Sequence, residues 1–330
     1  MKNVLLTGAD GLLGSNICRI LLERDYSITA FVHPTSSSHT LDGLKITIKK
    51  GDLLNPEEVS EAMQGCDLII HTAANTSLWP FRSEIIRKVN IDGTLNVIAA
   101  AKQQGVKKMV HIGTANTFGF GTLENPGDET KPYVGEKYGL DYMDSKHEVH
   151  QLIMQEVKEN GFPCVVVNPT FMLGKYDAKP SSGAMVQAVA EGKVPGYTLG
   201  GRNYIYVKDA AIGVVNALEK GKVGESYILG NKNMSYKEAF GLMAKVIGEK
   251  PPKFGLPYAV SYAYAVVGSF IASLRSKPPT ISVPMIKIAY DKHYFTAAKA
   301  VREIDLPQTP VEDAIRESYE WLKSNNMINK

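Results

Sequence analysis

The chain has 330 residues, enough for a large core and one or two domains. Its 44% hydrophobic and 22% charged content excludes a disordered or fibrous protein. A formal charge of +3, with no basic run interleaved with aromatics, leaves no footprint for nucleic acid.

The predicted elements alternate in kind. Strands are expected at 4–7, 27–32, 45–48, 67–72, 107–112 and 164–168, and helices at 12–24, 56–63, 83–104 and 140–160. The last helix is closed by Asn160-Gly161 and then Pro163. Beyond Pro169 the pattern loosens. Strands are expected at 204–207 and 226–229, and helices at 209–220, 236–247, 257–274 and 311–324. Strands alternating with helices, joined by right-handed crossovers, predict an α/β fold: a doubly wound parallel sheet with a smaller, mostly helical C-terminal substrate lobe. The expected division is 1–170 for the nucleotide-binding domain, with 204–230 returning to it, and 171–330 for the lobe.

The first strand runs into Thr7-Gly8-Ala9-Asp10-Gly11-Leu12-Leu13-Gly14. Gly8 permits a tight turn, Gly11 lets backbone N–H groups approach a phosphate, and Gly14 lets helix and strand pack closely. The spacing is GxxGxxG, a weak signal alone that gains force at the head of a βαβ series. An acid closing the second strand would bind a ribose 2′-hydroxyl and favour NAD. Here the strand ends Phe31-Val32-His33, with hydroxyls following at Thr35, Ser36, Ser37 and Ser38. His33 and those hydroxyls suit a 2′-phosphate, so NADP(H) is favoured, with NAD(H) the alternative. Asp52, after the third strand, is placed to accept from an adenine amine; read alone it is a turn residue.

Tyr142 and Lys146 lie one helical turn apart on the same face. A phenol has a pKa of about 10, some three units too high for easy proton transfer near neutrality, a gap of about 4 kcal/mol. A neighbouring ammonium and a positive nicotinamide ring narrow it by favouring phenolate. Thr114, after the apolar strand at 109–112, puts a hydroxyl at a strand's carboxyl end, where it can polarise a substrate carbonyl; Thr117 is its competitor. Tyr138 has a tyrosine, not a cation, four residues on. The expected chemistry is hydride transfer, with Thr114, Tyr142 and Lys146 as the catalytic set.

Other features have plainer readings. Cys18, Cys66 and Cys164 sit in apolar surroundings and read as buried, reduced thiols. His147 and His150 lack partners for a metal site, so no metal is expected. Trp79 and Phe81 read either as pocket lining or as loop packing. The first strand begins almost at Met1, leaving no room for a signal peptide, and a cytoplasmic protein is expected. The stretch 256–274 has no charged residue. It reads first as a helix packed on the core or over a pocket, second as a surface-lying membrane helix, and last as a true span.

In order, the motifs TGADGLLG, GDL at 51–53, HTAA at 71–74, VNIDGTLNVIAAA at 89–101, HIGTANTFG at 111–119, YMDSK at 142–146, NPTFMLG at 168–174 and RNYIYVKD at 202–209 resemble the extended short-chain dehydrogenase/reductase family over nearly the whole chain. The resemblance is strongest to its dihydroflavonol-reductase-like and 3β-hydroxysteroid-dehydrogenase-like members. It implies that Gly8, Asp10, Gly11, Leu12, Leu13, His33, Asp52, Leu53, Ala73, Ala74, Asn90, Tyr142, Lys146, Asn168 and Pro169 bind the cofactor. It implies that Asn75, Trp79, Phe171 and Arg202 meet the substrate, a small and fairly lipophilic carbonyl or alcohol. It also implies a homodimer built on the helices at 83–104 and 140–160. The rival is a sugar-nucleotide epimerase or dehydratase with tightly bound NAD. Phe171 and Asn168 stand where that branch usually has Asn and Arg, which weakens the rival, whereas Arg202 matches its phosphate-gripping arginine.

Overall fold

A computed structural model describes residues 2–275, 279 and 281–329, the side chains of 273–275 excepted. Its strands are β1 (Asn3–Thr7), β2 (Ser27–Val32), β3 (Thr47–Lys50), β4 (Leu68–His71), β5 (Lys108–Ile112), β6 (Cys164–Pro169), β7 (Phe171–Leu173), β8 (Gly201–Tyr206), β9 (Ser226–Leu229), β10 (Lys232–Ser235) and β11 (Lys292–His293). Its helices are α1 (Leu12–Glu23), α2 (Pro56–Met63), α3 (Glu84–Gln103), α4 (Asp141–Asn160), α5 (Gly183–Ala190), α6 (Val207–Lys220), α7 (Tyr236–Ile247), α8 (Tyr258–Arg275), α9 (Val283–Tyr290), α10 (Ala298–Ile304) and α11 (Val311–Ser324).

Seven strands form one parallel sheet in the order β3-β2-β1-β4-β5-β6-β9. The inner strands are buried on both faces, which is why apolar residues follow one another in them rather than alternate with polar ones. The period of two survives in the packing. Val4, Leu6, Ile70, Val110, Val165 and Val167 face α1 and α6. Leu5, Ile69, Met109, Cys164 and Val166 face α2, α3 and α4. The strand order reverses between β1 and β4, whose ends are paired Thr7 to His71. The loops leaving those ends part there and open the crevice in which such sheets bind ligands.

Three expectations are corrected. The third strand lies at Thr47–Lys50, not 45–48, because its register with β2 runs from Thr29↔Thr47 to Val32↔Lys50. As an edge strand it is polar, and the apolar Leu44 and Ile46 pack on the core ahead of it. The return to the main sheet begins at Val207 rather than 204: α6 and β9 join that sheet, whereas β8 starts at Gly201 and belongs to a second one. That small sheet of β7, β8, β10 and β11 makes the lobe less purely helical than its sequence suggests. Strands as short as Lys292–His293 leave no periodicity to read.

Two carboxylates of α4 anchor the segment that precedes α3. Asp141 Oδ2 accepts from the Ser83 N–H at 2.6 Å and Oδ1 from Arg82 at 2.8 Å. Asp144 accepts from Arg82 and from the Tyr133 hydroxyl. Burial alone would raise the Asp141 carboxyl, but Arg82 and the Ser83 N–H outweigh it and leave the pKa below 3.8. The stability this group contributes is therefore present above that value and lost as pH falls through the folded pKa. Asp141→Ala should cost about 1–3 kcal/mol at pH 7 by stranding its partners. The loss should shrink in acid; chemical denaturation at pH 7 and pH 3 checks both the size and the sign.

Candidate active site

Sequence places glycine wherever the first turn has no room. Gly8 adopts φ +65°, and a Cβ there would lie 2.8 Å from the Ala73 backbone. A Cβ on Gly14 would lie 2.1 Å from the Gly8 carbonyl. Gly11 differs: it is the N-cap of α1 with an ordinary φ of −75°, and a Cβ there would meet only the Gly8 carbonyl at 3.4 Å. Its missing Cβ therefore keeps the crevice open rather than satisfying the fold. No side chain caps α1, so its first N–H groups and its positive end point into that crevice. An anion such as a pyrophosphate fits this donor set.

A cleft of about 930 Å³ runs from this turn across the sheet into the lobe. Its walls include Gly8, Asp10, Gly11, Leu12, Leu13, His33, Asp52, Leu53, Ala73, Ala74 and Asn75, then Thr114, Tyr142, Lys146 and Pro169, and finally Phe171 and Arg202. Asp10 accepts from the Ser36 hydroxyl, which holds the loop after β2 against the turn. His33 Nδ1 lies 2.9 Å from the Thr35 hydroxyl and accepts the Thr35 N–H, which leaves Nε2 as the protonated ring nitrogen of the neutral imidazole. Asp52 Oδ1 accepts from the Leu54 N–H.

Three residues expected at the ligand lie outside the lining. Asn90 sits behind the loop that follows β4: its Oδ1 accepts from the Asn75 N–H at 2.7 Å, and its Nδ2 donates to Ser145 Oγ at 2.9 Å. It thus ties the cofactor-side loop to the helix that carries Tyr142 and Lys146. Asn168 is fully buried behind Gly113, where a Cβ would fall 2.2 Å from its Oδ1. Trp79 packs edge-on against Phe81, with centroids 4.8 Å apart.

Thr114 caps the short turn at Ala115–Thr117, and its hydroxyl accepts from the Asn116 N–H. Thr117 is buried and does not reach the cleft. Tyr138 donates to Asp291, which makes it structural. Lys146 is only 4% exposed and donates from Nζ to the Ile112 carbonyl at 2.6 Å. Burial pulls its pKa down to about 8. The expected acidification of Tyr142 by Lys146 is not what the protein provides by itself. Burial raises the phenol above its ordinary value, and the opposing influence is a hydrogen bond from Thr114. Lys146 acts instead on two histidines beneath it. Burial and then the ammonium hold His71 down to about 3 and His111 well below its ordinary value. Both imidazoles are neutral, and His71 is fixed between Thr7 at 2.7 Å and Thr94 at 3.0 Å.

The lobe adds residues that the sequence reading missed. Parallel pairing of β11 with β8 brings His293 to the cleft, where Nδ1 meets Asn116 Oδ1 at 3.1 Å. Phe295 and Ile288 join the same wall. Arg202 stacks over Phe171 at 4.8 Å and donates from Nε to the Tyr236 hydroxyl, with no ion pair to a carboxylate among the described residues. Elsewhere His147 stacks on Tyr133, His150 bonds Ser226, and the three cysteines are buried and free.

The model of the NAD dependent epimerase/dehydratase family matches residues 4–230. The chain belongs to that family. It is 29% identical over 98% of its length, and 95% of the other, to a Synechocystis sp. protein bearing the name dihydroflavonol 4-reductase. Sterol demethylase protein B of Methylococcus capsulatus is 24% identical, with 98% of this chain and 99% of that one covered. Among solved structures, that of gox2253 is 30% identical with a TM-score of 0.87 and complete coverage of both chains. The UDP-glucose 4-epimerase of Thermus thermophilus, in complex with NAD, shares the fold with a TM-score of 0.78 at 19% identity, covering 97% and 99%. The protein is accordingly a nicotinamide-dependent oxidoreductase of the extended short-chain dehydrogenase/reductase type.

The two glycines of the turn should separate under substitution. Gly11→Ala should leave stability within about 0.5 kcal/mol of the parent yet weaken dinucleotide binding severely. Gly14→Ala should destabilise the fold itself by about 1–3 kcal/mol. Thermal unfolding paired with fluorescence titration of the reduced cofactor distinguishes them.

Proposed function

We propose that this family member is an NADP(H)-dependent reductase acting on a carbonyl group of a small, fairly lipophilic substrate. The observation that carries the reading is the convergence of Thr114, Tyr142 and Lys146 on one wall of the cleft, past the glycine turn. The reductase and sterol-enzyme names of its relatives support it.

Bound along the cleft, the reduced nicotinamide supplies hydride to the carbonyl carbon. Tyr142 gives its proton to the carbonyl oxygen as the C–O bond becomes an alcohol. A phenol raised by burial is protonated at neutral pH and still transfers readily, because an alkoxide is far more basic than a phenolate. Thr114 donates a hydrogen bond to the same oxygen and orients it. Lys146 gives one N–H to Ile112, and its other two would hold the ribose hydroxyls of a bound cofactor. Its charge, lost as pH rises through about 8, limits the reaction on the alkaline side.

The preference for the phosphorylated cofactor rests on the loop after β2. No acid closes that strand, Asp10 is engaged by Ser36, and His33 with its free Nε2 lies at the cleft.

One observation favours a second reading, sugar-nucleotide epimerisation or dehydration with retained NAD. Arg202 is a sheltered guanidinium without an acidic partner among the described residues, and an anion is what such a group lacks. A carboxylate on a reductase substrate would satisfy it as well as a diphosphate. Purified protein carrying bound NAD(H), and converting UDP- or GDP-sugars without net cofactor oxidation, would select the second reading.

Tyr142→Phe should lower kcat about 10²–10⁴-fold with cofactor affinity nearly unchanged. Turnover at the parental rate would remove the assignment. His33→Asp should move the NADPH/NADH ratio of kcat/KM toward NADH by about 10–100-fold, the worth of a charged hydrogen bond.

A further inference from the structure

The face that α8 turns outward is the reverse of what a water-exposed helix presents. Its inward stripe is made of small residues spaced four, three and four apart: Ser261, Ala265, Gly268 and Ala272. Through them the helix lies on the segment that forms α9. Ser261 Oγ is 2.9 Å from the Tyr290 hydroxyl, and a Cβ on Gly268 would come within 3.3 Å of the Ile281 carbonyl. The large side chains point away from the protein. Val260, Tyr264, Val267 and Phe270 are among those exposed, Val267 by 58% and Phe270 by 66%. Leu199 and Phe254 extend the patch at its N-terminal end, where 254–256 runs beside Tyr197. Burying these side chains from water is favourable, so a face built this way is made to meet something apolar.

The surrounding charge names the occupant. From Lys250 to Tyr290 the sequence contains no Asp or Glu and five basic residues, Lys250, Lys253, Arg275, Lys277 and Lys287, whereas the whole chain carries only +3. Lys250 and Lys253 are exposed. Apolar bulk framed by positive charge complements an anionic lipid surface. A second copy of the same positive segment would be repelled. The polarity along α8 agrees. Tyr258, Tyr262 and Tyr264 lie toward its start, next to Lys253 and with Val260 among them, and Val266, Val267, Phe270 and Ile271 lie from its middle onward. Tyrosines suit the headgroup level and the aliphatic end suits the acyl boundary. No helix among the described residues is long and apolar enough to cross a membrane, so the geometry is one of lying on it. We propose that α8 docks the protein onto anionic bilayers, its exposed apolar side chains set below the headgroups and its tyrosines and the flanking basic residues at their level. Because α9 carries Ile288 on the cleft wall, the docked face adjoins the substrate site.

The test is cosedimentation of the full-length chain with vesicles of phosphatidylcholine, alone or with one quarter phosphatidylglycerol. The parent should pellet with the mixed vesicles, less with pure phosphatidylcholine, and less as salt rises. The double variant Val267→Asp/Phe270→Asp should lose the association by about tenfold or more. Its thermal unfolding should match the parent, since both positions are exposed. A parent that stays in the supernatant with the mixed vesicles overturns the proposal, as does a double variant that pellets like the parent. A concentration-dependent dimer in sedimentation velocity, abolished by the same double variant, assigns the face to a second copy and overturns it too.

Discussion

The hydrogen bond from Lys146 Nζ to the Ile112 carbonyl holds the catalytic arrangement together. It fixes α4 against the carboxyl end of β5, so the helix carrying Tyr142 and the strand leading to Thr114 share one register. It also sets a nearly buried positive charge on the cleft wall, satisfied by a carbonyl dipole and, among the described residues, by no carboxylate. Burial first, and then this charge, hold His71 and His111 neutral beneath it. The same burial that lowers the amine raises the phenol. The electrostatics of the site thus leave Tyr142 in its acid form, ready to donate.

Around that point the fold divides its labour. The parallel sheet supplies what any dinucleotide needs: a tight turn, an uncapped helix end, and a loop after β2 rich in hydroxyls. The lobe lines the rest of the cleft with Phe171, Arg202, Ile288, His293 and Phe295, gathered from segments far apart in the chain. Asn90 joins the halves of the cofactor side, bonding the loop after β4 and Ser145 next to Lys146.

The parts legible in the sequence are those whose chemistry is local. Gly8, Gly11 and Gly14 declare a turn because sterics there involve only near neighbours, and Tyr142 with Lys146 declares a face because helical periodicity is short. Thr114 stood out from Thr117 only by its place at the strand's end, and the cleft separates them. What stayed hidden depends on long-range pairing. Nothing near His293 shows that a two-residue strand will lie parallel to Gly201 and Arg202. Asn90 and Asn168 were placed by motif and not by packing, which sets one behind a loop and the other behind Gly113. The direction of the Tyr142 shift was missed because burial, the larger influence, has no signature along the chain. For 256–274 the lack of charge was plain, but the inward stripe of small residues emerges only against α9.

The central claim is that burial raises the Tyr142 phenol and that the positive ring of an oxidised nicotinamide beside it lowers it again. Its most direct test is ultraviolet difference titration of tyrosinate, taking the parent minus Tyr142→Phe, without ligand and with saturating NADP⁺. The account predicts a Tyr142 pKa above its ordinary 10.0 in the free protein, falling when the positive ring binds. A phenol already ionising well below 10 in the free protein, or one that NADP⁺ leaves unmoved, would contradict it.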